Sequence, residues 1–299
     1  MKTTGEFHLH EVRVKAKPGQ RFTFIPFGDV HRDAPSFANE HWAEFLARGE
    51  QAAKYENALF LGMGDYIDCA STSERTIIGD DRLHESTRHM IENHARGAVT
   101  TLTNELSFMR GRLMGLLGGN HYMQFHGDAT SDHLLAANLG AKFLGVCAFV
   151  RVIFEDDSRM NKKGHASAAT AIDIFAHHGR GGGVLCGSPF NVVQKMQDVA
   201  DADIYLMGHD HSKGVIPARP RLRLTSGGGG LAVKERTPAL GRTGSFLKAY
   251  EPGMPNYNVD ACRPPAALGW IEFGLTYVRD RSNGKDITSV RIDSAARIT

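Results

Sequence analysis

The sequence predicts an α/β fold, and three observations predict it. Short apolar runs suited to buried strands alternate with segments of helical periodicity. The strand, helix, strand order of residues 21–63 is that of a βαβ unit. The strand-like runs repeatedly end in a glycine followed by Asp, Asn or His. The elements follow in order. Phe7 to Val14 alternates in polarity, and Arg21 to Phe27 (RFTFIPF) is apolar enough for a buried strand that runs into GDVH. Pro35 to Tyr55 carries Phe37, Trp42, Phe45 and Leu46 at helical spacing, and the apolar run Ala58 to Met63 leads into GDYID.

Cys69 to Arg110 is polar and rich in helix formers, and reads as one or two helices with a loop around Gly79 to Asp81. A third strand, Leu113 to Leu117, meets GGNHY. A helix over Thr130 to Leu139 and a long strand or hairpin arm over Lys142 to Phe154 follow. Ala171 to Ala176 ends in HHGRGGG. Ser188 then reads as an N-cap with Pro189 at the first helical position, and Phe190, Val193, Met196 and Val199 form an apolar stripe before the strand Ile204 to Met207 and its GHDH. Past Lys213 a strand near Arg221 to Leu224, a loop over Ser226 to Gly230, an irregular stretch to Pro265 and strands near Trp270 to Tyr277 and Asp286 to Ile292 are expected. One domain spans 1–299, with a helical insertion near 69–110 and an irregular C-terminal extension near 213–299.

Composition narrows the function classes. With 41% hydrophobic and 23% charged residues, the chain suits a folded globular protein rather than a disordered one. No apolar run reaches the roughly 18 residues of a membrane span, and the start carries charges where a signal peptide is apolar, so a cytoplasmic protein without membrane association is expected. The four cysteines, Cys69, Cys147, Cys186 and Cys262, form no CxxC pair, which excludes a thiolate zinc site of that kind and leaves reduced, partly buried thiols. The glycine clusters do not follow a first strand as a dinucleotide fingerprint would. The histidine count of 15 directs the search to metal ligation and proton transfer.

Five strand ends carry the same grammar, and in open α/β sheets ligands bind outside the carboxyl ends of strands, so residues distant in sequence can share one site. In extended backbone, Asp29 and His31 of one triplet, and His209 and His211 of another, would each point to one side as a clamp. Asp65, Asn120 and an imidazole from the pair His177 and His178 complete an oxygen and nitrogen ligand set without sulfur. Two divalent ions about 3.5–4 Å apart suit displacement at phosphorus, holding a hydroxide between them and clamping the phosphoryl oxygens. Asp65 is the candidate bridging carboxylate. Arg32 and Arg180 follow ligand positions and are candidate phosphate contacts.

The ordered set GDVH, GDYID, GNHY, HHG and GHDH over residues 21–212 resembles the calcineurin-like metallophosphoesterases, whose motifs run D-x-H, G-D, G-N-H, H and G-H-x-H. That resemblance implies a four-layer α/β/β/α sandwich of two mixed sheets with a dinuclear site at the strand ends. It implies one metal on Asp29, His31, Asp65 and His211 and another on Asp65, Asn120, His178 and His209. It also implies His121 as general acid and Mn²⁺ first among Zn, Fe, Co, Ni and Mg. The family commonly places an acid after the G-N-H histidine. This chain has Tyr122, so a carboxylate partner for His121 must come from elsewhere.

The expected function is hydrolysis of a phosphoester. A phosphodiester is favoured, with nucleic acid as a candidate substrate, because the tract from Lys213 to Lys248 holds Lys213, Arg219, Arg221, Arg223, Lys234, Arg236, Arg242 and Lys248 against Glu235 alone. The alternatives are a phosphomonoesterase or protein phosphatase, a non-catalytic scaffold and a dinuclear amide hydrolase. Cys69 to Arg110 and the stretch 227–265 are the expected pocket walls. The sequence fixes no oligomeric state.

Overall fold

Apolar residues on both faces of adjacent short strands require cover on both sides, and that requirement organises the chain. The structure is a computed structural model that describes residues 7–79, 83–125, 129–158, 169–181, 185, 187–227, 230–254, 257–260, 262–282 and 285–296. The elements in chain order begin with β1 (Phe7–Ala16), β2 (Arg21–Phe27), α1 (Asn39–Tyr55), β3 (Asn57–Gly62), α2 (Thr72–Ile78), α3 (Glu85–Glu105), β4 (Leu113–Leu116), α4 (Ser131–Leu139), β5 (Cys147–Asp156) and β6 (Ala169–His177). They continue with α5 (Ser188–Lys195), β7 (Ile204–Met207), β8 (Lys213–Pro217), β9 (Arg221–Gly227), β10 (Gly230–Arg236), β11 (Ala239–Thr243), α6 (Tyr257–Asp260), β12 (Ile271–Ser282) and β13 (Lys285–Ala296).

Two mixed sheets form, a five-stranded one in the order β13-β12-β2-β3-β4 and a six-stranded one in the order β1-β5-β6-β7-β11-β8, beside the separate two-stranded ribbon β9-β10. β2, β3 and β4 run parallel, as do β6, β7 and β11, so the loops leaving each set emerge at one end of their sheet. Side-chain alternation then builds the layers. Ile25, Phe27 and Phe60 meet Trp42 and Phe45 of α1 and Val99 and Leu102 of α3 on one face of the five-stranded sheet. Phe24, Leu59 and Leu61 on its other face meet Val150, Ile174 and Leu206 of the six-stranded sheet. Phe175, Tyr205 and Leu240, behind the six-stranded sheet, are covered by Val193 of α5 and by Met196. The result is an α/β sandwich of mixed sheets and helices.

Several expectations change. The stretch past residue 213 is less irregular than expected: β11, between β7 and β8, completes the six-stranded sheet, and β12 pairs β2 in the other, while the described residues between β11 and β12 hold only the short α6. The helix expected from Pro35 starts at Asn39, after the turns of residues 32–37. Ser188 lies inside α5 and makes no capping bond; Gly187 holds the cap position. Val199 is 77% exposed, so the expected stripe ends at Met196. Of the loop expected over Ser226 to Gly230, Ser226 and Gly227 belong to β9 and Gly230 to β10, while Gly228 and Gly229 lie outside the described residues, as do Asp80, Asp81 and Cys186. Among the described residues Cys69, Cys147 and Cys262 are free, the first two half-buried and the third exposed.

Candidate metal centre

Each sequence motif sits in the loop that leaves a strand: Asp29 and His31 after β2, Asp65 after β3, Asn120 and His121 after β4, His178 after β6, and His209 and His211 after β7. The two sets of loops are tied together across the sheets. Asp29 N–H donates to Gly64 O at 2.9 Å, Gly208 N–H to the His178 carbonyl at 2.8 Å, and His209 N–H to Asp29 Oδ2 at 2.9 Å.

The clamps do not form in the way expected. Asp29, His31, His209 and His211 have φ of 48°, 48°, 73° and 57°, and Asp65 has 53°, so the triplets are not extended but lie in the left-handed region. Convergence comes from two left-handed residues flanking one ordinary one. A non-glycine side chain in that region is uncommon and costs free energy, so it persists only where its surroundings fix it. Five of the seven such residues among those described are these candidate ligands. The glycines of the motifs have a second use: a Cβ at Gly119 would stand 1.9 Å from Asp65 Oδ1, and one at Gly208 would stand 2.7 Å from Asp29 Oδ2. Each makes room for the carboxylate of another motif.

The side chains gather into two triads, Asp29 with His31 and His211, and Asp65 with His178 and His209, each with ligand atoms within 4.8 Å of one another. Asp65 joins them. Its Oδ1 accepts from the N–H groups of Asn120 at 2.7 Å and His121 at 2.8 Å, while its Oδ2 lies 3.4 Å from His178 Nε2 and 3.8 Å from His31 Nε2. Asn120 Oδ1 stands 2.9 Å from His178 Nε2 and 2.6 Å from His209 Nδ1. All seven expected ligands therefore meet in one place. His177 does not: its Nδ1 accepts from Gly179 N–H at 2.7 Å.

The donor set fits divalent cations. His31 Nδ1 lies 2.8 Å from Asp68 Oδ1, whereas its buried Nε2 makes no hydrogen bond. An imidazole that gives its one proton to a carboxylate and keeps the other nitrogen's lone pair in a buried cluster is the arrangement of a metal-ligating histidine. His178 repeats it, with Nδ1 2.8 Å from the Met63 carbonyl, which can only accept. Burial and mutual charge set the titration of the cluster. Burial pushes Asp29 up to about 7. Burial also opposes the charge of Asp65, but His178 overrides it and holds that carboxyl well below the usual range. Burial would lower His178, yet Asp65 lifts it to about 9, while burial and then His178 bring His209 down to about 4.

Two residues that matter were not read from the sequence. Asp68, the last residue of GDYID, lies 3.0 Å from His121 Nδ1 as well as beside His31. It is the carboxylate that Tyr122 does not supply, and burial notwithstanding, these two imidazoles hold it well below the usual range. Its signal was three residues after Asp65, in a motif already singled out. Arg75 of α2 donates from one nitrogen to the Ala70 and Asn120 carbonyls at 2.8 and 2.7 Å and stacks 3.7 Å over the Tyr122 ring, which fastens the loop carrying Asn120 and His121. No spacing pattern marks it.

The two arginines behave differently from the ligands. Arg32 is held by Glu105 through bonds of 2.8–3.1 Å and lies over Phe37, so its guanidinium is already engaged. Arg180 is exposed. The basic tract does not form one face: Arg242 is fully buried against Pro189 O, Gly208 O and Asp210, Arg236 pairs with Asp201 and Asp203, and Lys213 donates to Leu268 O.

No protein-family model matches the chain, and no curated protein matches it. Among solved structures, Vacuolar Protein Sorting 29 from Cryptosporidium parvum matches at 16% identity with a TM-score of 0.36, covering 93% of this chain and 100% of that one. At that score the likeness carries no weight for fold or function. No helix among the described residues is long and apolar enough to cross a membrane.

Proposed function

We propose that the chain is a dinuclear metal-dependent phosphoesterase of the calcineurin-like kind, a hydrolase on a four-layer α/β/β/α sandwich. The observation that carries this reading is Asp65 Oδ2, set between His178 and His31 and so between the two triads. One cation would take Asp29, His31, Asp65 and His211, the other Asp65, Asn120, His178 and His209. Bound there, a pair of divalent ions supplies a nucleophile from water at neutral pH and offsets charge on phosphoryl oxygens.

The chain's own residues do the rest. Asp29 and Asp65 balance cationic charge that would otherwise be costly to bury, being 0% and 1% exposed. Asp68, 3.0 Å from His121 Nδ1, orients that ring, leaving Nε2 to hand a proton to the departing oxygen. Arg75 keeps Asn120 and His121 in register. A phosphoester is the supported substrate class. Nucleic acid loses its chief support once the basic tract is dispersed, and diester against monoester is decided by assay.

The test is reconstitution of purified protein with Mn²⁺, Zn²⁺ or Mg²⁺, or with chelator, on bis-p-nitrophenyl phosphate and p-nitrophenyl phosphate, alongside measured metal content. Two ions per chain and metal-dependent turnover are expected, with Mn²⁺ first. Stoichiometric metal without turnover of either ester would make the site a non-catalytic one.

A further inference from the structure

Strand β1 is the outermost strand of the six-stranded sheet. It pairs β5 in parallel over all ten residues, Phe7–Ala16, and among the described residues no strand pairs its other edge. Proteins commonly blunt such an edge by keeping it short, bulging it or breaking it with proline. β8, at the other end of the sheet, is treated in that way, with five residues that finish at Pro217. β1 is not: its register with β5 is unbroken, it contains no proline, and it is about 33 Å long. We infer that this edge is an interface and that its occupant is β1 of a second copy of the chain, paired antiparallel about a two-fold axis that passes beside Val12, normal to the sheet.

The side chains select both the occupant and the register. Phe7, Leu9, Glu11, Arg13 and Lys15 share the outer face of β1, whereas Val12 and Val14 on the inner face pack against the core between the sheets. With the axis at Val12, Glu11 of each copy stands directly opposite Arg13 of the other, and His10 opposite Val14. Leu9, 69% exposed in the single chain, falls opposite Lys15, whose methylene stem covers it. The two Val12 side chains meet beside the core that already holds them. Moving the axis by one residue sets Glu11 against Glu11 or Arg13 against Arg13, and like charges directly opposite are destabilising. Glu11 and Arg13 are open to this exchange: their side chains are 48% and 58% exposed, and within one chain they lie 2.7 Å apart, with Arg13 also 2.8 Å from Glu155. An unrelated strand would have to reproduce this order of charges, whereas β1 turned end for end supplies it by symmetry. A seam of two strands is smaller than the ~800 Å² per partner of a standard interface, so the dimer is a reversible one. It uses no residue of the candidate metal centre and stands independently of the phosphoesterase reading.

Sedimentation velocity of the full chain over a concentration series reads the association, and the parent should dimerise reversibly. Arg13→Glu sets a carboxylate opposite Glu11 of the other copy, and Glu11→Arg sets a guanidinium opposite Arg13. Each variant alone should therefore dimerise at least about ten-fold more weakly. Glu11→Arg and Arg13→Glu together in one chain restore opposite signs and should return the dimer to within about three-fold of the parent. A mixture of the two single variants should recover in the same way as a mixed dimer, because each supplies the charge the other lacks; that recovery also shows that both are folded. A parent that stays monomeric at high micromolar concentration overturns the inference. So does a dimer that neither single variant weakens, which would put the contact on another surface. A weakened dimer that neither the double variant nor the mixture restores overturns the register at Val12 and with it the choice of occupant.

Discussion

The loops at the strand ends and the β9–β10 ribbon are both dense in charged or titratable residues, and the structure treats them in opposite ways. At the strand ends, Asp29, His31, Asp65 and His178 are at most 3% exposed, and five candidate ligands hold left-handed backbone. On the ribbon, even the apolar Leu222, Leu224, Leu231 and Val233 are 64–76% exposed. Each strained backbone residue costs about 1–3 kcal/mol, and each unpaired buried charge costs more, so the first region exists only because the rest of the fold enforces it. The ribbon carries no such cost. Charge density in sequence thus says little about function; charge that the fold buries at a cost says a great deal.

The sharpest way to break the comparison is to remove the group that joins the two triads. Asp65→Asn should lower the metal content below two per chain and reduce kcat/KM at least about a thousand-fold, the value of several kcal/mol of cation chemistry. Full metal content in that variant would dissolve the two-triad site. Gly119→Ala comes next. Its Cβ would overlap Asp65 Oδ1, so either the loop or the carboxylate must shift by an ångström or so, and a loss of about a hundred-fold is expected with partial loss of metal. Normal activity would mean that the close approach is relaxed in solution.

How much of this was legible follows from the same contrast. Arg21–Phe27 and Ile204–Met207 were read to the residue, because a buried strand ending at Gly and a ligand has both a composition and a stop signal. The candidate ligands were legible as an ordered set, and the fold brings them together. β11 was not: Ala239–Thr243 is buried throughout, but ALGRT carries a glycine and a buried Arg242 in place of an apolar run, and its place is set by β7 and β8. The left-handed clamps were invisible too, since backbone conformation there is imposed by contacts between loops that are far apart in sequence. Asp68 was in plain sight within GDYID, but only folding shows that it reaches both His31 and His121.

Asp68→Asn keeps the shape and removes the charge. It should reduce kcat about ten- to a hundred-fold for esters with poor leaving groups and much less for p-nitrophenyl esters, whose phenolate needs little protonation. Equal losses on both would make Asp68 a support for His31 alone. A smaller effect concerns Asp132, a buried carboxyl that accepts from Gly119 N–H at 3.2 Å and that burial pushes up to about 7. The folded protein then holds a proton that the unfolded chain releases, so its contribution to stability is present below about pH 4 and is lost as pH rises through about 7. Denaturant unfolding of metal-free protein should show Asp132→Asn losing less stability than the parent across that window, the difference being at most about 1.4 kcal/mol per pH unit. Parallel curves would show that Asp132 stays ionised.

The smallest effect is expected on the ribbon, and its geometry says why. Arg236 is bound to Asp201 and Asp203, and Arg221 donates to Gln197. Asp203 immediately precedes β7, the strand whose other end leads to His209 and His211, so the base of the ribbon is anchored about 13 Å of strand away from the site. Arg223 faces Lys234 directly across the ribbon, a like-charge pair that is mildly destabilising. Arg223→Glu would convert it to an opposite pair, so the ribbon should hold or gain stability while kcat/KM and its salt dependence change less than two-fold. A flattened salt dependence in that variant, on any phosphoester, would mean that the ribbon touches substrate after all and that the two regions act together.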